Sequence, residues 1–375
     1  MHRFFCYGIL LILSLLQTVF PARTIPPATP PELTVNDLSH INKWQQFSKF
    51  TDAGKGDHFS GMSELKRYFH RFGYLDSDDF SDTFDDNLEA AVLTYQKKLG
   101  LPVTGKLDSG TVGLIMSPRC GVSDDVPHKR KNKFKFKFKF HVSKHYAYFS
   151  GEPRWQKGGK GEKTDTMTLT YAFSDNHMIN YLSYSEIQGA FQRSFARWAS
   201  TIPVIFTEVD DYRKADIKIA FYGGDHGDGV PFDGVLGVLA HAFSPENGRL
   251  HLDEAETWAV DLEASKSVVA VDLESVATHE IGHILGLAHS SVKEAVMYPS
   301  LGPRTRKVDL KIDDIMGVQN LYGSNPNFRT AKQRRFLLEA RVKMDSMFSL
   351  KVTSPLLLRF LLRTFVLLSI NGIVV

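Results

Sequence analysis

Apolar and polar positions alternate with a period that changes along the chain, and the changes divide it. Between about Phe47 and Met116 the period is helical. Ser63 precedes Glu64-Leu65-Lys66-Arg67-Tyr68-Phe69, Asp85-Asp86 precede a stretch whose Leu88, Val92, Tyr95 and Leu99 share one helix face, and a shorter helix is expected after Asp108. Gly73, Gly100 and Gly105 punctuate this small helical domain. From Tyr146 to Gly323 the pattern is mixed. Met167, Leu169, Tyr171 and Phe173 alternate as a strand, and Ile205 to Val209 and Ile217, Ile219 and Phe221 predict two more. Ser183-x-x-Glu186 opens a helix as a capping box with Ile187, Phe191, Phe195 and Trp198 on one side. Further helices are predicted from about Asp272 to Leu285 and from about Ile312 to Tyr322. The expected fold class is α+β, with helices first and a mixed sheet with helices after.

Length and composition agree with this picture. At 375 residues the chain can bury about two cores. With 43% apolar and 23% charged residues, wholesale disorder and a polytopic membrane protein are both excluded. The formal charge of +3 is local: residues 128–144 carry eight Lys/Arg and no acid, and removing them leaves −5 over the rest. General nucleic-acid binding is therefore not expected.

The basic segment repeats Lys-Phe from Lys133 to Phe140, which as a strand would put four Phe on one side. It reads as an exposed linker or edge strand, as a protease-accessible hinge with Lys129-Arg130-Lys131 as a polybasic cut site, or more weakly as a patch for anionic polymers. The N-terminus has His2-Arg3, an apolar run from Phe4 to Leu16 and a polar, Pro-rich stretch, the layout of a signal peptide cut near Ala22. An uncleaved anchor is the alternative, though the run is short for a bilayer span. No N-x-[ST] acceptor occurs. The C-terminal stretch, 355–375, is apolar but broken by Arg359, Arg363 and Asn371, so a membrane segment and a removable lipid-anchor signal compete. The expected organisation is 1–22 signal peptide, 23–46 Pro-rich leader, 47–127 helical domain, 128–145 basic linker, 146–324 mixed domain, 325–354 polar tail and 355–375 hydrophobic end. Secretion is expected, with anchoring to the outer face of the membrane left open, and the protein is expected to be a monomer.

Of two cysteines, Cys6 lies in the leader, so the secreted chain would hold one thiol, Cys120, and no internal disulfide. The informative stretch is Thr278 to His289, with His279-Glu280-x-x-His283 followed by Gly286 and His289. Four residues apart on a helix, His279 and His283 can present nitrogens to one ion at about 2.0 Å. Glu280 is one residue round, placed for a water on that ion. A continuing helix would turn His289 roughly 600° past His283, and Gly286 in a left-handed conformation can bring it back. Three histidines leave a tetrahedral zinc one open position, a catalytic design. The five-residue pattern alone has false positives; the extended one is specific.

Val296-Met297-Tyr298-Pro299 follows, and with it the sequence resembles the metzincin peptidases, whose Met-turn underlies the zinc histidines. Ser290 points within them to the matrix metalloproteinase (matrixin) family. The resemblance runs from about Phe47 to Gly323. It implies a three-helix prodomain before a metzincin catalytic domain, a twisted mixed sheet with three helices. Without a haemopexin-like domain following, the chain looks most like the plant members. His226, Asp228, His241 and His251 resemble the family's structural zinc site. Pro231-Phe232-Asp233-Gly234 resembles the start of its calcium loop, which implies carboxylates of Asp233, Asp253 and Glu256 and carbonyls of Gly234, Leu236 and Val238 as calcium ligands. Leu236 and Val238 stand where Gly and Asn are common. The short His241–His251 stretch and Arg249 put a further calcium site, with Asp216 as its remnant, in doubt.

Pro118-Arg119-Cys120-Gly121-Val122-Ser123-Asp124 resembles the matrixin cysteine-switch motif, with Ser123 where proline is usual. The resemblance implies that Cys120 takes zinc's fourth position in a latent proenzyme and that an activating protease cuts the basic linker. The new N-terminus near His145 to Phe149 would pair with Asp313 or Asp314. The implied activity is hydrolysis of internal peptide bonds in extracellular or wall-associated proteins. Zn2+ and Ca2+ are the cofactors, Glu280 is general base, and Tyr298 to Val308 line the specificity pocket. The rival is a non-enzymatic module, since the prodomain helices also resemble peptidoglycan-binding folds.

Overall fold

The computed structural model describes residues 43–124, 146–156 and 166–329. The signal-peptide, linker and C-terminal expectations fall outside those residues. Contacts divide the chain at Ser324 into a unit 1–324 and a unit 325–375. Among the described residues no helix is long and apolar enough to cross a membrane.

The helical domain begins earlier than the pattern predicts, with a 3₁₀ helix over Lys43–Phe50 that buries Trp44, Phe47 and Phe50. Aromatics at every third position form one face only when three residues make a turn, which is the 3₁₀ repeat. Trp44, placed in the leader, is therefore part of this core. Helix α1 covers Met62–Arg71 and is preceded by Gly61 in a left-handed conformation, not capped by Ser63, whose amide donates to Asp82 Oδ1. Helix α2, Asp86–Lys98, is capped by Asp85, and α3, Ser109–Ile115, by Asp108, each carboxylate accepting an amide of the first turn. The expected face Leu88, Val92, Tyr95 and Leu99 is buried.

The mixed domain is built on strands β1 (Arg119–Cys120), β3 (Met167–Phe173), β4 (Val204–Glu208), β5 (Ile217–Tyr222), β6 (Val238–Ala242) and β7 (Arg249–Asp253), after the short β2 (Ala147–Tyr148). They lie in the order β1-β6-β7-β5-β3-β4, all pairs parallel except β6 with β7. Helix α4, Tyr184–Ala199, starts with the capping box of Ser183 and Glu186 and buries Ile187, Phe191, Phe195 and Trp198. Strands β8 (Trp258–Ala259) and β9 (Val271–Asp272) pair with each other. Helix α5, Leu273–Ile284, follows an Asp272 cap and is buried on every side. Strand β10 (Leu287–Ala288) and helix α6 (Ile312–Tyr322) complete the domain, and the three domain helices and mixed sheet give the expected α+β architecture.

Candidate active site and metal centres

Helix α5 must stop abruptly for His289 to rejoin its neighbours, and the sequence around Gly286 makes it stop. Gly286 has φ 101°, and a Cβ there would collide with the Pro153 carbonyl. The carbonyls left over at the helix end are satisfied from outside: Trp155 Nε1 donates to Ile284 O at 2.8 Å and the Tyr322 hydroxyl to Leu285 O at 2.9 Å. The chain then pairs Leu287–Ala288 with Ala147–Tyr148, which carries His289 back beneath the helix.

His279 Nε2 and His289 Nε2 each lie 3.1 Å from His283 Nε2. Tetrahedral nitrogen ligands at about 2.0–2.1 Å from zinc stand about 3.3 Å apart, close to this spacing. Each ring's other nitrogen has an acceptor: Val296 O at 2.7 Å for His279, Leu287 O at 2.7 Å for His283 and Asp124 Oδ1 at 2.6 Å for His289. Nδ1–H donation fixes the tautomer and turns three Nε2 lone pairs toward one point, a donor set that fits a cation. Cys120 Sγ is 3.4 Å from His283 Nε2 and completes the four. Burial and then the Glu280 charge push the Cys120 thiol up, so its thiolate is favoured only by a cation held in the same set.

Glu280 is fully buried and neither carboxylate oxygen has a hydrogen-bond partner. Desolvation pushes its carboxyl up to about 8. Beneath the helix, Met297 is packed so closely that a Cβ on Gly282 would collide with its Sδ. Asp314 holds that turn by accepting from Val296 N and Met297 N, both at 3.0 Å, and from Lys311 N at 2.8 Å. A cavity of ≈ 20 Å³, room for about one water, adjoins His279, Glu280 and Cys120; Val276, Val296 and Tyr298 are among its walls.

Asp124 is the residue whose part the sequence reading missed. It is 1% exposed and both its oxygens lie 2.8 Å from one Arg119 nitrogen, itself 2% exposed, while Tyr74 donates to it at 2.7 Å. Burial would raise its carboxyl, but the Arg119 charge and the His289 hydrogen bond outweigh burial and hold it well below the usual carboxylate range. The signal was present in Arg-Cys-x-x-x-Asp, which puts opposite charges on either side of the thiol.

A second cluster gathers where β6 and β7 place His241 and His251 directly opposite each other. Asp228 Oδ2 lies 2.7 Å from His241 Nε2, 2.8 Å from His251 Nδ1 and 2.9 Å from His226 Nε2. Burial lowers His241 and His251 to about 4, so both are neutral and ready to ligate. Tyr222 and Phe232 stack on either side of His226.

The acidic loop is looser. Among the described residues, the ligand atoms that gather within 4.8 Å of one another are those of the two histidine sets. In the loop, Leu236 N donates to Glu256 Oε1 at 2.7 Å, Val238 N to Asp233 Oδ1 at 2.7 Å and Gly234 N to Asp253 Oδ2 at 3.2 Å. Glu256 Oε2 is buried and has no partner. Burial and then the neighbouring carboxylates raise Asp253 to about 6 and push Glu256 well above its ordinary range, the donor chemistry of a hard-cation site. Leu236, with φ 61°, takes a left-handed conformation without being glycine. Asp216 stands apart: its Oδ2 accepts from Thr170 N and Oγ1 at 2.7 Å each, tying β5 to β3. Arg249 stacks on Phe243, and Asp216 joins no metal-ligand group among the described residues.

Comparison with known proteins agrees with the histidine geometry. The matrixin family model matches residues 160–323, and a peptidoglycan binding domain model matches residues 60–115. Metalloendoproteinase 1-MMP of Arabidopsis thaliana is 53% identical over 333 residues, which cover 88% of this chain and 87% of that protein. The chain belongs to the matrixin family. It is thus a zinc metalloendopeptidase, and its plant relatives include Metalloendoproteinase 1 of Glycine max, 45% identical over 74% of this chain and 87% of that protein. Stromelysin-1 of Mus musculus is 35% identical over 73% of this chain and 51% of that protein. In this matrixin the helical residues 60–115 form the prodomain, and its core continues into the catalytic domain through Phe232, Val238 and Tyr298.

Proposed function

We propose that this matrixin is secreted as a latent proenzyme that hydrolyses internal peptide bonds of extracellular or wall-associated proteins once the basic linker is cut. The observation that carries the reading is the meeting of Cys120 with His279, His283 and His289 in one buried set. The segment that delivers the thiol also lies along the β6 edge, with Arg119 N donating to Gly237 O at 3.0 Å and Gly121 N to Ala240 O at 2.8 Å. An extended substrate would need the same backbone groups. Docking therefore denies the substrate both its strand partner and its place beside the histidines.

His279, His283 and His289 would hold the catalytic zinc, and His226, Asp228, His241 and His251 a structural one. Asp233, Asp253 and Glu256, with carbonyls of Gly234, Leu236 and Val238, would hold calcium. Bound zinc supplies the electrophile that acidifies a water and polarises the scissile carbonyl. Glu280 then takes the proton from the attacking water and passes it to the departing amine. Its buried carboxylate, raised by desolvation, suits that exchange. Met297, packed beneath α5, would keep the histidines in place. Asp314 is engaged by three backbone amides, which leaves Asp313, bonded to Ser290 at 2.6 Å, as the partner for the new N-terminus.

The test is a pair of variants of the full chain. Cys120→Ser should cleave a quenched peptide without prior cutting of the linker, and a fully latent variant would mean that the thiol does not close the site. Glu280→Ala should retain its zinc but lose nearly all hydrolysis after activation; a variant that kept most of its activity would sink the general-base assignment.

A further inference from the structure

The calcium loop is seated on the prodomain. Phe232 and Val238 are buried in the same core as Trp44, Phe47, Tyr68 and Phe72. Arg71, at the end of α1, donates to Pro231 O at 2.7 Å. Lys43, Arg71 and Asp233 line one cleft between the prodomain and the loop; burial raises the Asp233 carboxyl, and the charges of Arg71 and then Lys43 act against that rise. Glu64, the acid in that cleft, is paired with Arg67 at 3.3 Å. On the other side of the loop stands the buried Glu256 with an oxygen that no donor meets.

We propose that the docked prodomain weakens calcium binding at this loop, through Arg71 and Lys43 beside Asp233, so that activation raises calcium affinity and calcium in turn loosens the prodomain. The proposal rests on the calcium reading above. A dication held by Asp233, Asp253 and Glu256 would feel both prodomain cations, and each repels it twice as strongly as it would a monovalent ion. Cutting the linker removes Lys43 and Arg71 and leaves the three carboxylates in place. Linkage makes the effect reciprocal: the factor by which the prodomain weakens calcium is the factor by which calcium weakens docking. The Phe232 seat steadies the loop and acts in the opposite direction; because Arg71 also donates to Pro231 O, the charge is isolated by comparing Arg71→Gln with Arg71→Lys, both of which keep a donor there.

The experiment uses the full-length latent chain and the same chain after linker cleavage, with calcium affinity read by competition against a fluorescent chelator at about 0.1 M salt. The latent form is expected to bind about three- to tenfold more weakly, as befits partly exposed charges. Arg71→Gln in the latent chain should shift affinity toward the activated value, whereas Arg71→Lys, which keeps the charge, should not; after activation all three should agree. As a second readout, calcium should speed alkylation of Cys120 in the latent wild type, and less so as salt is raised. Equal affinities, tighter binding by the latent form, or an Arg71→Gln affinity unchanged from wild type would overturn the coupling. Calcium uptake by neither form would overturn the calcium reading itself.

Discussion

Replacing Asp124 by Asn should open the proposed proenzyme without any cut. Asp124 neutralises Arg119, which is 2% exposed and lies with its guanidinium 3.7 Å from the centre of the Phe72 ring. Removing one partner of such a buried pair costs about 3–5 kcal/mol, because the remaining charge is stranded. The lower end is expected, since the Asn oxygen can still accept one of the bonds from Arg119, Tyr74 or His289. The cost falls on the docked state alone, because an undocked Arg119 returns to water. Docking is therefore weakened by about two orders of magnitude or more. The assay is the rate at which iodoacetamide labels Cys120 in the intact chain, followed by mass spectrometry of its peptide, beside hydrolysis of a quenched substrate. Both should rise together. Adding Arg119→Met to Asp124→Asn removes the stranded charge and should restore part of the latency. If Asp124→Asn alone labels at the wild-type rate and stays inactive, the ion pair does not hold the segment and the reasoning fails.

Two further outcomes concern stability. Gly282→Ala puts a methyl where Met297 Sδ stands and 3.0 Å from Trp198 Cζ2, and overpacking of about 1–3 kcal/mol should exceed the gain in helix propensity of up to about 1 kcal/mol. Thermal denaturation of the full chain should show a lower Tm, and an equal or higher one would mean that the turn can move away. Lys307 is lowered by burial to about 8 from 10.5. The unfolded chain thus holds that proton more tightly between those values, so the penalty is complete below pH 8 and fades as pH rises through 10.5. Lys307→Met should stabilise the protein by up to about 3 kcal/mol at neutral pH, with the gain largely gone near pH 10.5. Equal gains at both pH values would refute the desolvation argument.

What the sequence by itself determined is what neighbouring residues decide among themselves. The capping box of Ser183 and Glu186, the Asp85, Asp108 and Asp272 caps, the period-two strand over Met167–Phe173 and the helical spacing of His279 and His283 all depend on contacts within a few residues. Gly286 could be read as a helix stop for the same reason. The 3₁₀ helix was legible in the Trp44, Phe47 and Phe50 spacing but is masked when every periodic stretch is judged against 3.6 residues per turn. Tertiary structure alone decided how distant segments meet. It set the β6–β7 register that faces His241 with His251, the β2–β10 pairing that returns His289, and the path that brings Asp124 between Arg119, Tyr74 and His289. It also separated Asp216 from Asp233, Asp253 and Glu256 and gave it to Thr170. None of these has a local signature, because strand register and the partner of a buried charge are fixed by which packing fills the core and leaves the fewest polar groups unsatisfied.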